Sequence, residues 1–545
     1  MRLSRLGSLH QCRLSFMRVL TRRMARDGWR FARPRFEIDR KGVGHAVYTA
    51  TGPERTYSLV AFAHDLPAEQ RSDRVIAEAW DATFALVDGE ATDDDIARLS
   101  VNVPSQEAGR VSERELTLSR ANRSVRLWDH VVSALARGAQ PGQAAIDATG
   151  YLMRTTAVYG SGKFGAADWD TLADRKELQV PFQAEMLTVY LIRTFVRDLV
   201  NHMARAAGGA KAVTLDGDIA RRLGIGNSTG LGMAPFLVNH PVLFNNWIAA
   251  REQALARVRA VAHAGWEDVA IFRALLRRAV SLVRSWASEH PLQRRRLGDL
   301  QTDVLALRAH VANHDFDQDA PWDALFRWAE DNLSEEGQEL LASLMMEPYG
   351  ALIDDLALRM CDTAPAARRI DGAMPVDEVR ALIGATFGWA RDIDWANRAA
   401  DARAWYVSAE KLEPRLGERH EEPIAPYEQP LAPARDAARA VQALAGFDGA
   451  APVAHFLLRH PEHRHTVRRA QMSRGAPYAE IRDNTLDGRM LPIDMLRAKL
   501  SFFGATRFDP RSDRWVRICM YAGAPYPDEL ATEDADHWVY PETPQ

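Results

Sequence analysis

The chain has 545 residues, of which 47% are apolar and 26% charged, as in an ordinary globular protein. Its formal net charge of -4 argues against a general electrostatic attraction to nucleic acid, so a nucleic-acid partner is not expected. Three widely separated cysteines exclude a disulfide framework and a thiolate zinc site, and they favour a reducing compartment. No apolar run approaches the ~20 residues that cross a bilayer, and the N-terminus lacks the uncharged apolar stretch of a secretory signal. We therefore expect a cytoplasmic protein without a transmembrane segment.

The N-terminal region is strongly basic. Residues 1–35 carry ten arginines and one acid, Asp27. Apolar residues between Leu6 and Met24 recur at helical spacing, and Gly28 is a suitable residue to end the helix. The pattern predicts a basic amphipathic helix. Such a helix either binds a membrane surface or nucleic acid, or packs on its own domain with its arginines in solvent, which is the commoner outcome.

Short β-favouring runs follow this helix at 35–39, 45–49 and 56–62, with turn residues between them. They predict a three-stranded antiparallel meander. A further run at 515–521, near the other end of the sequence, is also typical of a strand. A small sheet gains stability from an added strand, so this one can complete the N-terminal sheet.

Most of the remaining sequence has helical periodicity. The fold class predicted is therefore mainly α, a large multi-helix body with one small antiparallel β-sheet near the N-terminus. The predicted domains are an N-terminal helix and meander at 1–66, a helical body at 67–412, a linker rich in proline and charge at 413–434, and a C-terminal helical segment at 435–545 that carries the strand 515–521. Clear helical patterns cover 74–86, 125–136, 182–206, 235–262 and 269–288.

The segment 224–236 has the most unusual composition in the chain. Four glycines and three small polar residues lead into an apolar helical pattern, as in backbone loops that bind anions at a helix N-terminus. The candidate ligand-binding residues are Asn227, Ser228, Thr229 and Gly230. The segment lacks the Gly-Lys-Ser/Thr ending of a phosphate-binding Walker loop, and a helix is predicted before it where a dinucleotide fingerprint needs a strand. The alternative is a capped helix whose glycines permit close packing.

A second glycine-rich turn, at 159–165, presents Lys163. The chain has only six lysines against 63 arginines, so each lysine is mildly informative. Lysine is a compact cation whose pKa falls readily on desolvation, which suits a catalytic or anion-binding role. Ser161 lies in the same turn, and Arg154 lies one turn before the end of the predicted preceding helix. The alternative is a helix C-cap with a lysine in solvent.

The segment 480–499 alternates acids and arginines densely. We select Asp483 and Asp487 as acid/base candidates, and Arg482 and Arg497 as residues that clamp an anion. A structural network of charged hydrogen bonds is the commoner role for such a segment.

Two histidine clusters suggest metal binding, one with His310 and His314 followed by acids, the other from His455 to His465. An i, i+4 histidine pair with a carboxylate is competent for zinc or iron. Neither cluster has a recognised three-ligand spacing, so we expect no metal site and less than one tightly bound transition metal per chain.

These observations favour an enzyme that acts on a small carboxylate- or phosphate-bearing metabolite by acid/base chemistry. Lyase, hydrolase and isomerase reactions all fit, and no cofactor motif is visible. One alternative is a ligand-sensing or scaffold protein that uses the basic N-terminal helix, and another is a helical metal-dependent oxidoreductase. The sequence leaves homo-oligomerisation open.

Overall fold

The computed structural model describes most of the chain between residues 10 and 542. The described residues are 10–67, 69, 79–103, 112, 114–155, 174–178, 180, 182–227, 241–288, 291–361, 370–387, 394, 406–407, 414–415, 432–464, 466–467, 497, 500–510, 516–532 and 536–542.

A mixed, curled sheet organises the described residues. Its strands are β1 Arg30–Ile38, β2 Gly44–Thr51, β3 Thr56–Ala63, β4 Ala82–Asp88, β5 Glu115–Arg123, β6 Tyr151–Thr155, β7 Gly224–Asn227, β10 Arg507–Pro510 and β11 Val516–Met520, while β8 Tyr406–Val407 pairs only with β9 Pro414–Arg415. The order across the sheet is β1-β2-β3-β4-β5-β6-β7-β11-β10. Neighbours are antiparallel except β6 and β7, which run parallel.

The helices are α1 Phe16–Arg26, α2 Asp93–Asn102, α3 Trp128–Ala136, α4 Gln143–Thr149, α5 Gln183–Gly208, α6 Gly217–Arg222, α7 Pro241–Arg259, α8 Trp266–Ser285, α9 Pro291–Asn313, α10 Pro321–Asn332, α11 Glu335–Met346, α12 Gly350–Ile353, α13 Val376–Phe387, α14 Ala432–Ala445 and α15 Val453–Arg459. None of these helices in the described part of the chain combines the length and apolarity needed to cross a bilayer.

The predicted fold class is wrong, because the sheet is large. The meander predicted over 35–62 is present as β1, β2 and β3, but it continues through β4 and β5 into the later strands. The predicted C-terminal strand joins the same sheet, although it pairs with β7 rather than with the meander. Much of the predicted linker at 413–434 lies outside the described residues.

Strand β4 shows why the sheet was missed. Its residues Phe84 and Leu86 pack on one face of the sheet, and Ala85 and Val87 pack on the other. A strand that is buried on both faces has no alternation of polar and apolar residues, so its sequence resembles that of a buried helix. The helix predicted at 74–86 is wrong over its second half for this reason.

The two faces of the sheet have different covers. Helix α5 crosses one face, where Phe195 packs edge-on against Tyr48 and Phe84. Helix α2 covers part of the other face through Ile96 and Leu99. The apolar core on the α5 side is continuous with the cores of helices α7 to α11, so the sheet and this helical layer share one interior.

Two of the N-terminal arginines, Arg13 and Arg18, lie inside the protein. Helix α1 lies in the region where the basic helix was predicted. Gly28, just after its end, has the left-handed conformation. Arg18 is fully buried and forms a two-pronged ion pair with the buried Glu347. Arg13 donates two hydrogen bonds to Asp354, at 2.8 and 2.9 Å, and one to Asp536 at 3.0 Å. These charges tie the N-terminal region to the helical layer and to the C-terminal residues.

Candidate functional site

The parallel strands β6 and β7 place their carboxyl ends at the same edge of the sheet, with Thr155 beside Asn227. The glycine-rich segment 159–165 begins four residues after β6 ends, and the segment 224–236 begins with β7 and continues beyond it in the sequence. Parallel neighbours in a sheet commonly place ligands beyond their carboxyl ends. This edge is therefore the candidate site. Lys163, Ser161, Ser228, Thr229 and Gly230 themselves lie outside the described residues.

One of the two predictions about what precedes these segments is wrong. A strand, not a helix, precedes 159–165, and Arg154 lies on it. The helix predicted before 224–236 is present as the short helix α6, although the first four residues of the segment form the strand β7. The dinucleotide fingerprint is still excluded, because three residues rather than two separate Gly226 from Gly230.

A row of polar residues crosses the sheet one step inside this edge. Arg154 lies opposite Asn122 on β5 and beside Gly226 on β7. Asn122 Oδ1 accepts a hydrogen bond from the backbone N–H of Asp81 at 2.9 Å. The N–H of His64 in turn donates to the Asp81 carbonyl oxygen at 2.8 Å. We call His64, Asp81, Asn122 and Arg154 the polar row.

Burial makes the polar row chemically notable. Asp81, Asn122 and Arg154 are at most 2% exposed. Buried donors normally have acceptors. Among the described residues, however, Asn122 Nδ2 has no hydrogen-bond acceptor. A guanidinium and an amide N–H, donor groups of the kind that bind oxyanions, are thus neighbours in a buried setting beside the carboxyl edge.

Strand spacing limits which members of the polar row can touch one ligand. Adjacent strands lie about 4.8 Å apart, so Asn122 is about 5 Å from Arg154, and His64 is about 14 Å away across three spacings. A small molecule held by Arg154 reaches Asn122 and does not reach His64. Burial lowers the pKa of His64, and the charge of Asp81 opposes that change.

Two glycines of β7 are required for packing. A Cβ on Gly226 would lie 2.5–2.7 Å from ring atoms of Tyr151. A Cβ on Gly224 would overlap the carbonyl oxygen of Met520 and the thiol of Cys519 on β11. That thiol lies 3.1 Å from the Gly150 carbonyl oxygen. For Gly224 and Gly226, close packing explains the glycine, whereas Gly230 is open to a ligand-binding role.

The third predicted segment is mostly outside the described residues, including Arg482, Asp483 and Asp487. Arg497 is described, and it is fully buried in an ion pair with Glu336 of α11. Its guanidinium therefore lies inside the protein, against the helical layer. The structure places Arg154 and Asn227 on neighbouring strands, one residue out of register, and it gives no relation between them and Asp483 or Asp487.

Two sequence features suggested the alternative functions, the basic N-terminal region and the histidine pair His310 and His314. The structure shows contacts within the protein for both. Arg13 and Arg18 of the basic N-terminal region are paired with buried or half-buried acids. His310 stacks on Trp328 with ring centroids 3.8 Å apart, and His314 Nε2 is 2.9 Å from the Pro321 carbonyl oxygen. That nitrogen donates to the carbonyl oxygen, so only Nδ1 of His314 is left as a possible metal ligand.

Sequence reasoning missed Asp81, Asn122 and His64. The alternation of Leu116 and Leu118 with polar residues in β5 is the signal that could have revealed Asn122 as a strand residue. No protein family model, curated protein or solved structure matches the chain, so no activity is carried over to it from a relative.

Proposed function

We propose that the carboxyl edge of β6 and β7 binds a small metabolite bearing a carboxylate or phosphate group, and that the protein is an enzyme acting on it by acid/base chemistry. The observation that carries the proposal is the parallel pairing of Arg154 and Thr155 with Gly226 and Asn227. This pairing supports the proposal because it sets the carboxyl end of β6, four residues before the start of the segment 159–165, beside the strand that begins the segment 224–236.

The chemistry of this edge suits an anion. Arg154 supplies a positive charge that persists at every physiological pH, and Asn122 supplies an amide N–H. Backbone N–H groups of the glycine-rich segment, with the hydroxyls of Ser161, Ser228 and Thr229, would complete the oxyanion contacts. Lys163, Asp483 and Asp487 remain the proposed proton-transfer groups, and lyase, hydrolase and isomerase chemistry all fit this set.

Replacing Lys163 by alanine is expected to weaken binding of an anionic probe at least about tenfold. Loss of one charge-assisted hydrogen bond costs about 1.5–3 kcal/mol, and each 1.4 kcal/mol is a factor of about ten in affinity. Inorganic phosphate and succinate serve as probes for the two anion classes, titrated calorimetrically into the full-length chain at constant ionic strength.

The matched control is Lys211→Ala, which removes an exposed lysine just after α5. It should leave both the affinity for the probe and the melting temperature unchanged. If Lys163→Ala binds the better probe as wild type does, Lys163 has no role at the site and the proposal loses its cation at this edge.

Replacing Gly230 by alanine separates ligand binding from packing. If backbone N–H groups at Gly230 contact the anion, the added Cβ blocks its approach, so affinity falls while the melting temperature stays near that of wild type. Gly226→Ala is the comparison, because its Cβ collides with Tyr151 and its melting temperature should fall. A lowered melting temperature with normal affinity in Gly230→Ala would assign Gly230 to packing as well.

A further inference from the structure

Three potential metal-binding side chains cluster at the end of α15. His460 ends that helix, and the next three residues, Pro461–His463, form a single 3-10 turn. His460 Nδ1 lies 3.3 Å from Glu462 Oε1, and His463 Nε2 lies 3.8 Å from the same oxygen. All three ligand atoms lie within 4.8 Å of one another. Among the described residues, this is the group of histidines, cysteines and acids compact enough to share one ion.

The side chain of Phe456 holds both imidazoles. Phe456 is fully buried, and the His463 ring lies nearly parallel to it, with an interplanar angle of 4° and centroids 5.8 Å apart. The His460 ring packs on Phe456 at 5.0 Å. His463 is 6% exposed, whereas Glu462 is exposed, so an ion here has apolar protein on one side and solvent on the other. An apolar shell around a metal site limits solvent access and lowers the local dielectric.

We propose that His460, Glu462 and His463 bind a divalent transition-metal ion of the zinc class, with water completing the coordination. Two imidazoles and one carboxylate form a common three-ligand set for zinc. Ligand atoms around a tetrahedral zinc ion lie about 3.3–3.5 Å apart, and two of the three separations here are already 3.3 and 3.8 Å. His460 is partly exposed, so its side chain can move to shorten the third separation, between the ligand nitrogens of the two histidines.

The compact geometry, rather than a sequence signature, carries this proposal. The spacing His-Pro-Glu-His matches no recognised metal motif, which is why the sequence alone predicted no site. A 3-10 turn brings residues three apart nearly onto one line, so His460 and His463 project on the same side. The proposal is independent of the anion site at β6 and β7.

The test uses the full-length chain, stripped with a chelator and then titrated with Zn²⁺ alone against a chromophoric competitor at pH 7.5. We expect one equivalent to bind. His460→Gln should weaken binding by at least about tenfold, because losing a ligand costs no less than losing a residue that merely orients one. Glu462→Gln should weaken it as well. His460 and Glu462 are preferred to the buried His463 as test positions, because both reach solvent and their replacement disturbs the interior less.

The matched control is His455→Gln, an exposed histidine on α15 outside the cluster. It should bind Zn²⁺ as wild type does, and all three variants should melt near the wild-type temperature without metal. Wild-type affinity in His460→Gln, no stoichiometric binding to the wild-type chain, or an equal loss in His455→Gln would each overturn the proposal. None of these outcomes bears on phosphate or succinate binding.

Discussion

Replacing Glu347 by alanine is expected to lower the free energy of unfolding by about 3–5 kcal/mol, because it leaves buried arginine charge without its partner. Glu347 accepts a hydrogen bond from Arg18 at 2.6 Å and one from Arg13 at 3.4 Å, and its side chain is inaccessible to solvent. Urea denaturation of the full-length variant measures the loss as a shift in the unfolding midpoint.

Two control variants separate the destabilisation caused by an unpaired buried charge from the stability contributed by the ion pair itself. Arg26→Ala breaks an exposed ion pair with Asp27 and should change stability by no more than about 0.5 kcal/mol. The double variant Arg18→Met with Glu347→Leu removes both charges, and it should recover most of the loss. A double variant as unstable as Glu347→Ala would show that the pair itself, rather than the unpaired charge, dominates.

The same pair gives stability a predictable pH dependence. Burial alone would raise the pKa of Glu347, but the charge and hydrogen bonds of Arg18 outweigh it and hold that pKa well below its ordinary value of 4.5. The contribution of the pair is therefore complete above pH 4.5 and is lost as the pH falls further. The stability difference between wild type and Glu347→Gln should shrink over the same range.

Replacing Gly224 by alanine is expected to cost about 1–3 kcal/mol, because its Cβ would overlap backbone atoms of Met520 and Ala522 in the neighbouring part of the sheet. Side chains can rotate away from such a clash, but paired strand backbones cannot. The variant should show a lower midpoint of urea denaturation than wild type.

The matched control is Gly298→Ala, within α9, where the added Cβ meets no atom within 4 Å. Alanine is favoured over glycine in a helix by about 1 kcal/mol, so this variant should gain stability. If Gly224→Ala is as stable as wild type, β7 and β11 are not packed as closely as the structure describes.

Long helices were predictable from sequence, and strands buried on both faces were not. α5 and α8 show a clear helical period and lie close to the predicted ranges. β1 to β3 are separated by short turns, which the sequence marks with glycine and proline. β6 is only five residues long, and β7 has four, too few for any period to be recognised.

For the site, the sequence shows which types of residue each segment contains, but it does not show which residues lie beside that segment in the fold. Composition alone selected the segments after β6 and β7, and pairing of those strands is a tertiary property that no local pattern encodes. Asp81 and Asn122 are in contact only because β4 and β5 are neighbours, so their hydrogen bond could not be predicted from the sequence. Arg497 was selected for its charge, and its burial against Glu336 depends on contacts 161 residues apart in the sequence.

The position of β11 beside β7 has a consequence for how the chain folds as it is synthesised. β7 ends at Asn227, and the strand that covers its free edge begins only at Val516. While the intervening residues are being made, the β7 edge of the growing sheet exposes unpaired N–H and C=O groups to which other chains can add. Pairing of β11 with β7 also joins residues that are far apart in the sequence, and such contacts form slowly. The nascent protein therefore has a prolonged period in which the β7 edge is open to aggregation, and this period ends when β11 pairs with it.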